Sequence, residues 1–218
     1  MLIPIKRNIF AWTTPDPEDN WIMRGHILDQ DGDLVIFDPP LVPGLTEAIK
    51  SLGNPVAVIL TTLDHTRGCR YISTNLGTRL LIPSQPVSEA LDPEKMIVEK
   101  KLAGYETYEE GEIGGLDLTA FRVTVPPRSG KNVSYMDEMM LLDNRGNLFA
   151  GDIAMGTPEG KILTCPQGFM RDPPEDVYRS TFKAASSVII RTGSTRLFAG
   201  HGEDLVGNLQ ETVRTAGK

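Results

Sequence analysis

Strand-length apolar segments alternate with helical stretches through both halves of this 218-residue chain. In the first half, the segments 22–28 and 33–37 flank the turn sequence DQDG, a helical pattern covers 45–52, and an apolar run covers 56–60. Alternating or continuous apolar runs predict strands, whereas apolar residues three and four apart predict a helix. Alternation of the two element types predicts an α/β fold that contains mixed sheets.

The rest of the chain continues this pattern. The further predicted elements are a helix at 68–75, strands at 79–82, 116–125, 139–142 and 147–150, a helix at 175–190, a strand at 197–199 and a helix at 205–213. No change of composition marks a boundary, and the length allows one well-buried core. We therefore expect a single domain over residues 1–218.

Charge and composition exclude several classes of protein. The 29 acidic residues outnumber the 22 basic ones, and this balance disfavours nucleic acid as a partner. The two cysteines are too few for a disulfide framework. Neither a secretory signal nor an apolar stretch of about 18 residues occurs. We expect a cytoplasmic protein with no membrane partner, a small-molecule substrate or ligand, and a surface compatible with a homodimer.

Four residues of the types that bind metals follow predicted strands. Asp64 and His65 come after the run 56–60, Asp152 follows 147–150, and His201 follows 197–199. Strand ends are where α/β folds bind ligands, and two Asp with two His suit a divalent cation. In the alternative interpretation, Asp64 caps the following helix and His201 is a turn residue. With only three histidines in the chain, any histidine-rich metal site is small.

Five segments follow one another over almost the whole chain. The first is a hairpin made of IMRGHIL at 22–28 and DLVIFDPP at 33–40. The other four are VILTTLDHTRG at 58–68, YEEGEIGGLDLT at 108–119, LFAGD at 148–152, and LFAGHG at 197–202. In order and separation they resemble the opening hairpin, the central metal-binding motif, the next strand entry, the metal-bridging aspartate and the last histidine ligand of the metallo-β-lactamase superfamily. The resemblance implies a four-layer αββα sandwich of two mixed β-sheets flanked by helices.

The chain departs from the family where the first metal is bound. The family's central motif is HxHxDH, and here Asp64 and His65 match its last two ligands while both earlier histidines are absent. At the place of the family's later PGHS motif stands VPPRSG, with Arg128 in the histidine's position. The resemblance therefore implies a degenerate site that holds at most one metal, on Asp64, His65, Asp152 and His201.

Two functions are compatible with such a site. The first is a metal-dependent hydrolase in which one Zn²⁺, or Fe²⁺ or Mn²⁺ in its place, activates water for attack on an ester, thioester, lactone or phosphodiester. Asp64 would orient or deprotonate that water. The second is a non-catalytic member without metal, in which Arg128 pairs with Asp152 or Asp64 and the cleft binds a small molecule or a protein.

Three further residues are candidates for the lining of the site. Arg67 would pair with the carboxylates or bind an anionic substrate. His26 is either a hydrogen-bonded strand histidine or a residue of the cleft. Asp38 is either a turn residue or the hydrogen-bonding partner of a metal ligand.

Overall fold

The computed structural model describes residues 2–17, 21–84, 97–98, 101–124, 137–164 and 175–216. They form two compact units, the first made of the described residues up to 108 and the second of those from 109 onward. The single domain expected over residues 1–218 stays a prediction.

The first unit contains a seven-stranded mixed sheet whose strands are ordered as in the chain. The strands are β1 (Ile3–Lys6), β2 (Ile9–Pro15), β3 (Ile22–Gln30), β4 (Asp33–Phe37), β5 (Asn54–Ile59), β6 (Arg79–Pro83) and β7 (Tyr105–Tyr108). The strands β1 to β4 pair antiparallel, and β4 to β7 pair parallel. The predicted hairpin is therefore confirmed as β3–β4, while β1, β2 and β7 are strands that the sequence analysis did not predict.

Two short helices supply the other half of the first unit's core. Helices α1 (Leu45–Leu52) and α2 (Cys69–Leu76) lie where the sequence predicts helices, over 45–52 and 68–75. Their buried side chains pack with alternate strand residues in a cluster that includes Ile36, Val58 and Leu80. Parallel neighbours need such crossovers, because a tight turn cannot join strands of the same direction.

The second unit is built on a five-stranded mixed sheet. Its elements are β8 (Gly111–Glu112), β9 (Leu118–Thr124), β10 (Asp137–Asp143), β11 (Asn147–Ala150), a small hairpin of β12 (Met155–Gly156) and β13 (Ile162–Leu163), helix α3 (Glu175–Thr192), β14 (Arg196–Ala199) and helix α4 (Leu209–Ala216). The sheet order is β14-β11-β10-β9-β8, with β14 parallel to β11 and the other pairs antiparallel. The predicted hairpin of 139–142 and 147–150 is confirmed.

The last helix begins later than predicted. The helical pattern covered 205–213, but Leu205 instead pairs with Leu197 through two backbone hydrogen bonds of 2.8 and 2.9 Å. Asn208 then adopts a φ of 54°, and its carbonyl accepts hydrogen bonds from Glu211 and Thr212 as α4 starts. The apolar residue at 205 therefore packs beside β14 rather than on the helix.

The architecture confirms the predicted fold class, with two mixed sheets accompanied by helices. No helix within the described ranges is long and apolar enough to cross a bilayer.

Cys69 is expected to be unreactive in the folded protein. It is fully buried in the core of the first unit, and burial raises the pKa of its thiol to about 12. Because the thiolate is the reactive species, a Cys165→Ser variant should show almost no reaction with a disulfide reagent at pH 8 until urea unfolds it. Rapid stoichiometric labelling of the folded variant would contradict this burial.

Candidate functional site

Two of the predicted site residues follow neighbouring parallel strands of the second unit. Ala150 at the end of β11 is level with Ala199 at the end of β14. Asp152 and His201 each come two residues later, so the parallel pairing brings both to the same edge of the sheet. Strand ends are where α/β folds bind ligands, and the role of these two residues as metal ligands stays a prediction.

The side chains of Asp152 and His201 are in direct contact. Nδ1 of His201 lies 2.5 Å from Oδ1 of Asp152, and both residues are buried. A buried imidazole and a buried carboxylate stabilise each other in this way, because each is unfavourable alone in an apolar environment. The pair offers the nitrogen and oxygen donors that zinc and similar cations bind.

A second buried acid of this unit, Glu138, binds the backbone of the turn after β11. The antiparallel register of β10 and β11 pairs Leu141 with Phe149. Three residues before Leu141 and three residues after Phe149, the same register brings Glu138 level with Asp152. The Glu138 carboxylate accepts hydrogen bonds from the backbone N–H of Asp152 at 2.9 Å and of Ile153 at 3.0 Å. Glu138 was not among the predicted site residues, because its only local signal is that of an acidic residue at the start of an apolar strand.

The turn that follows His201 is fixed by two glycines. Gly202 has a φ of 69°, and a Cβ there would lie 2.8 Å from the carbonyl oxygen of Gly156. Gly156 and Glu203 exchange two backbone hydrogen bonds of 2.8 and 3.0 Å. Only glycine adopts this conformation so close to another backbone without strain. The conformation therefore fixes the chain directly after the histidine.

A second polar cluster lies at the strand ends of the first unit. Asp38 follows β4 and Thr61 follows β5, and these strands are parallel neighbours. The Thr61 N–H donates to Oδ1 of Asp38 at 2.8 Å, and the Thr61 hydroxyl donates to Oδ2 at 2.6 Å. Asp38 thus ties the end of one strand to the segment that carries the predicted central motif.

His65 contacts the same carboxylate. It ends a single 3-10 turn, Leu63–His65, in which the Thr62 hydroxyl accepts from the N–H of Asp64. Nδ1 of His65 lies 3.1 Å from Oδ2 of Asp38, and both side chains are buried. This is the contact expected of a partner of a metal ligand, because ligating histidines commonly turn their second nitrogen to a carboxylate. Asp38 also has a positive φ of 43°, as turn residues often do, and its role as the partner of a metal ligand stays a prediction.

Opposing effects act on the Asp38 carboxyl. Burial alone would raise its pKa, but attraction to His65, the His65 and Thr61 hydrogen bonds and the charge of Arg67 together hold the pKa below its usual value. Asp38 is therefore a buried carboxylate that stays ionised at neutral pH.

The remaining predicted residues have different surroundings. Asp64 is exposed, whereas His26 is buried in β3 opposite Phe37 of β4. Arg67 donates from Nη1 to the carbonyl oxygens of Arg24 and Asp38, both at 3.2 Å. Arg128 lies outside the described residues. The structure thus brings together Asp152 with His201, and Asp38 with His65 and Arg67, and metal binding by the predicted ligands stays a prediction.

The architecture matches solved metallo-β-lactamases over nearly its whole length. DIM-1 metallo-β-lactamase exposed to ceftazidime is 15% identical, with a TM-score of 0.66 over 99% of this chain and 97% of that chain. A metallo-β-lactamase from Hirschia baltica is 14% identical, with a TM-score of 0.65 over 100% and 95%. FIM-1 from Pseudomonas aeruginosa, in its mono-zinc form, is 12% identical, with a TM-score of 0.63 over 100% and 96%.

No protein-family model and no curated protein matches the sequence. The structural likeness shows that the chain has the metallo-β-lactamase fold.

Proposed function

We propose that this protein is a hydrolase that uses one divalent metal ion, bound by Asp152 and His201 together with the sequence-predicted ligands Asp64 and His65. The observation that carries the proposal is the buried pair of Asp152 and His201, in contact at the ends of two parallel strands. The fold supports it, as does the carboxylate held against His65 in the first unit.

The chain's own residues have separate tasks in this mechanism. Asp38 orients the His65 imidazole through Nδ1 and leaves its other nitrogen for the ligand role. Asp64, which is exposed, accepts the proton of the attacking water. When bound, the metal would lower the pKa of a water molecule and polarise the substrate's carbonyl or phosphoryl group.

The substrate class is a small ester, thioester, lactone or phosphodiester. Zinc is the preferred ion, because imidazole and carboxylate donors suit it, and Fe²⁺ or Mn²⁺ are the alternatives. The site is proposed to be degenerate and to hold one ion, since the two earlier histidines of the central motif are missing. A cytoplasmic location is part of the proposal, as is a small-molecule rather than a nucleic-acid partner.

A non-catalytic protein without metal is the second candidate. It is favoured by the segment that resembles the central motif, which lacks both earlier histidines and whose Thr61 hydroxyl donates to Asp38. In this candidate Arg128 supplies the positive charge that the metal would otherwise contribute, and the cleft binds a small molecule or a protein partner.

Zinc binding distinguishes the two candidates. Protein purified without chelators should contain about one zinc per chain, and His201→Ala or Asp152→Asn should weaken zinc affinity by at least about 100-fold, because each removes a donor. Affinity would be measured by competition with a chromophoric chelator. Asp143→Asn is the matched control, since Asp143 is a buried acid of the same sheet that is bound to Asn147.

Two outcomes would overturn the proposal. A folded wild-type protein that binds no zinc, iron or manganese would favour the metal-free candidate. Equal zinc affinity in the wild type, the His201→Ala variant and the control would show that any bound metal lies elsewhere.

A further inference from the structure

We propose that Glu138 is a positioning residue, which holds Asp152 so that its carboxylate meets the His201 imidazole and can share a metal ion with it. The consequence for metal affinity rests on the proposed function. The consequence for the contact between Asp152 and His201 does not depend on a metal.

Glu138 makes several hydrogen bonds to one short piece of backbone. Its Oε2 accepts from the N–H of Asp152 at 2.9 Å and of Ile153 at 3.0 Å, and its Oε1 lies 3.2 Å from the same Asp152 nitrogen. The residue is only 4% exposed. Because both N–H groups donate to the same carboxylate oxygen, two consecutive residues of the turn are held at once.

The held atoms are next to the functional side chain. The Asp152 nitrogen is bonded to the Cα that carries the carboxylate, so fixing two consecutive N–H groups fixes the direction in which that side chain leaves the backbone. The 2.5 Å contact of Asp152 with His201 requires that direction. A site held to within about half an ångström needs such supporting groups.

The placement of this acid is not explained by the strand alone. Its neighbours Met139 and Met140 on β10 are buried apolar residues, and an ionised carboxylate is costly to bury among them. A glutamine would keep one acceptor oxygen but lose the charge and the second oxygen. The two N–H groups of the turn are donors that a carboxylate at this position accepts.

The same strand supplies a matched control at its other end. Asp143 is 5% exposed and accepts from the N–H of Arg145 at 2.9 Å and of Asn147 at 2.8 Å. Like Glu138, it is a buried acid that binds two backbone N–H groups. The turn that it holds is the β10–β11 hairpin, which carries neither of the paired residues.

The experiment compares Glu138→Gln with Asp143→Asn in the full chain. Both variants should lower the urea midpoint of unfolding, because each replaces a carboxylate oxygen that accepts from buried backbone N–H groups by an amide group. Only Glu138→Gln should weaken zinc binding, by at least about tenfold. Added to Asp152→Asn, Glu138→Gln should weaken binding no further, since a residue that acts through Asp152 has nothing left to position.

A second measurement does not need a metal. In zinc-free protein, the Nδ1–H proton signal of His201 should be visible by NMR in the wild type and in Asp143→Asn, and lost in Glu138→Gln. The chain has three histidines, so His201→Ala identifies the signal.

The outcomes separate the two proposals. If the wild type binds no zinc but the His201 signal is lost only in Glu138→Gln, the positioning role stands and the proposed function fails. If the wild type binds zinc and both variants behave alike in affinity and NMR signal, the positioning role is overturned and the proposed function stands.

Discussion

Replacing Asp38 with alanine should lower the free energy of unfolding by about 3–5 kcal/mol, the usual result of removing one partner from a buried charged pair. The Asp38 carboxylate is bound by the N–H and hydroxyl of Thr61 and lies 3.1 Å from Nδ1 of His65. Its loss leaves these buried groups without their acceptor. Urea unfolding at pH 7, followed by circular dichroism, measures the effect.

Asp33→Ala is the control for this variant. Asp33 is an exposed acid at the first position of β4, the strand that Asp38 follows. Its carboxylate accepts from the side chain of Asn54, and its loss should change stability by less than about 0.5 kcal/mol. Because the pKa of Asp38 is lowered in the folded protein, its contribution is present above the unfolded pKa of about 3.9 and is lost as the pH falls through the lower folded value. The difference between the wild type and Asp38→Asn should therefore shrink below about pH 4. A difference that is equally large at pH 7 and at pH 2 would contradict an ionised Asp38.

The sequence predicts those parts of the fold whose signal is local. The hairpin β3–β4 has a turn sequence between two apolar runs, and α1 has its apolar residues at helical spacing before Gly53. The expectation that Asp152 and His201 lie at strand ends likewise rests on the residues directly before each of them. In each case a few neighbouring residues carry the information.

Other elements depend on partners that are distant in sequence. The strand β1 is mostly exposed and contains Pro4, so its own sequence gives little strand signal. It is a strand through its antiparallel pairing with β2. Leu205 has helical spacing to the residues after it, but its pairing with Leu197 prevails over that preference.

The supporting residues of the candidate site have the weakest sequence signal. Glu138 accepts from N–H groups 14 and 15 residues away, and Asp38 accepts from Thr61, which is 23 residues away. Residue type and spacing describe the donors and acceptors that a chain contains, but the register between strands decides which of them meet. Asp64 is the opposite case. Its position in the motif is clear from the sequence, but the sequence did not show that its side chain is exposed.

Replacing Trp12 with alanine should also lower the free energy of unfolding by about 3–5 kcal/mol, through the cavity that a fully buried aromatic ring leaves. Trp12 is 1% exposed and belongs to the core of the first unit. The ring lies so close to Gly25 that a Cβ there would be 2.4 Å from Cζ2 of Trp12. Guanidinium unfolding gives the stability, and Trp21→Ala, at a half-buried position, is the control with a smaller expected loss.

Trp12 also connects this core to the Asp38 cluster, and a second variant separates packing from hydrogen bonding. The indole Nε1 donates to the carbonyl oxygen of Pro40 at 2.9 Å, two residues after Asp38. Trp12→Phe keeps most of the ring but leaves that buried carbonyl without its donor, so it should cost about 1–2 kcal/mol. A loss of less than 1 kcal/mol for Trp12→Ala would contradict the close packing of the ring. A loss for Trp12→Phe as large as that for Trp12→Ala would show that the hydrogen bond to the turn, rather than the ring volume, dominates the contribution of this residue.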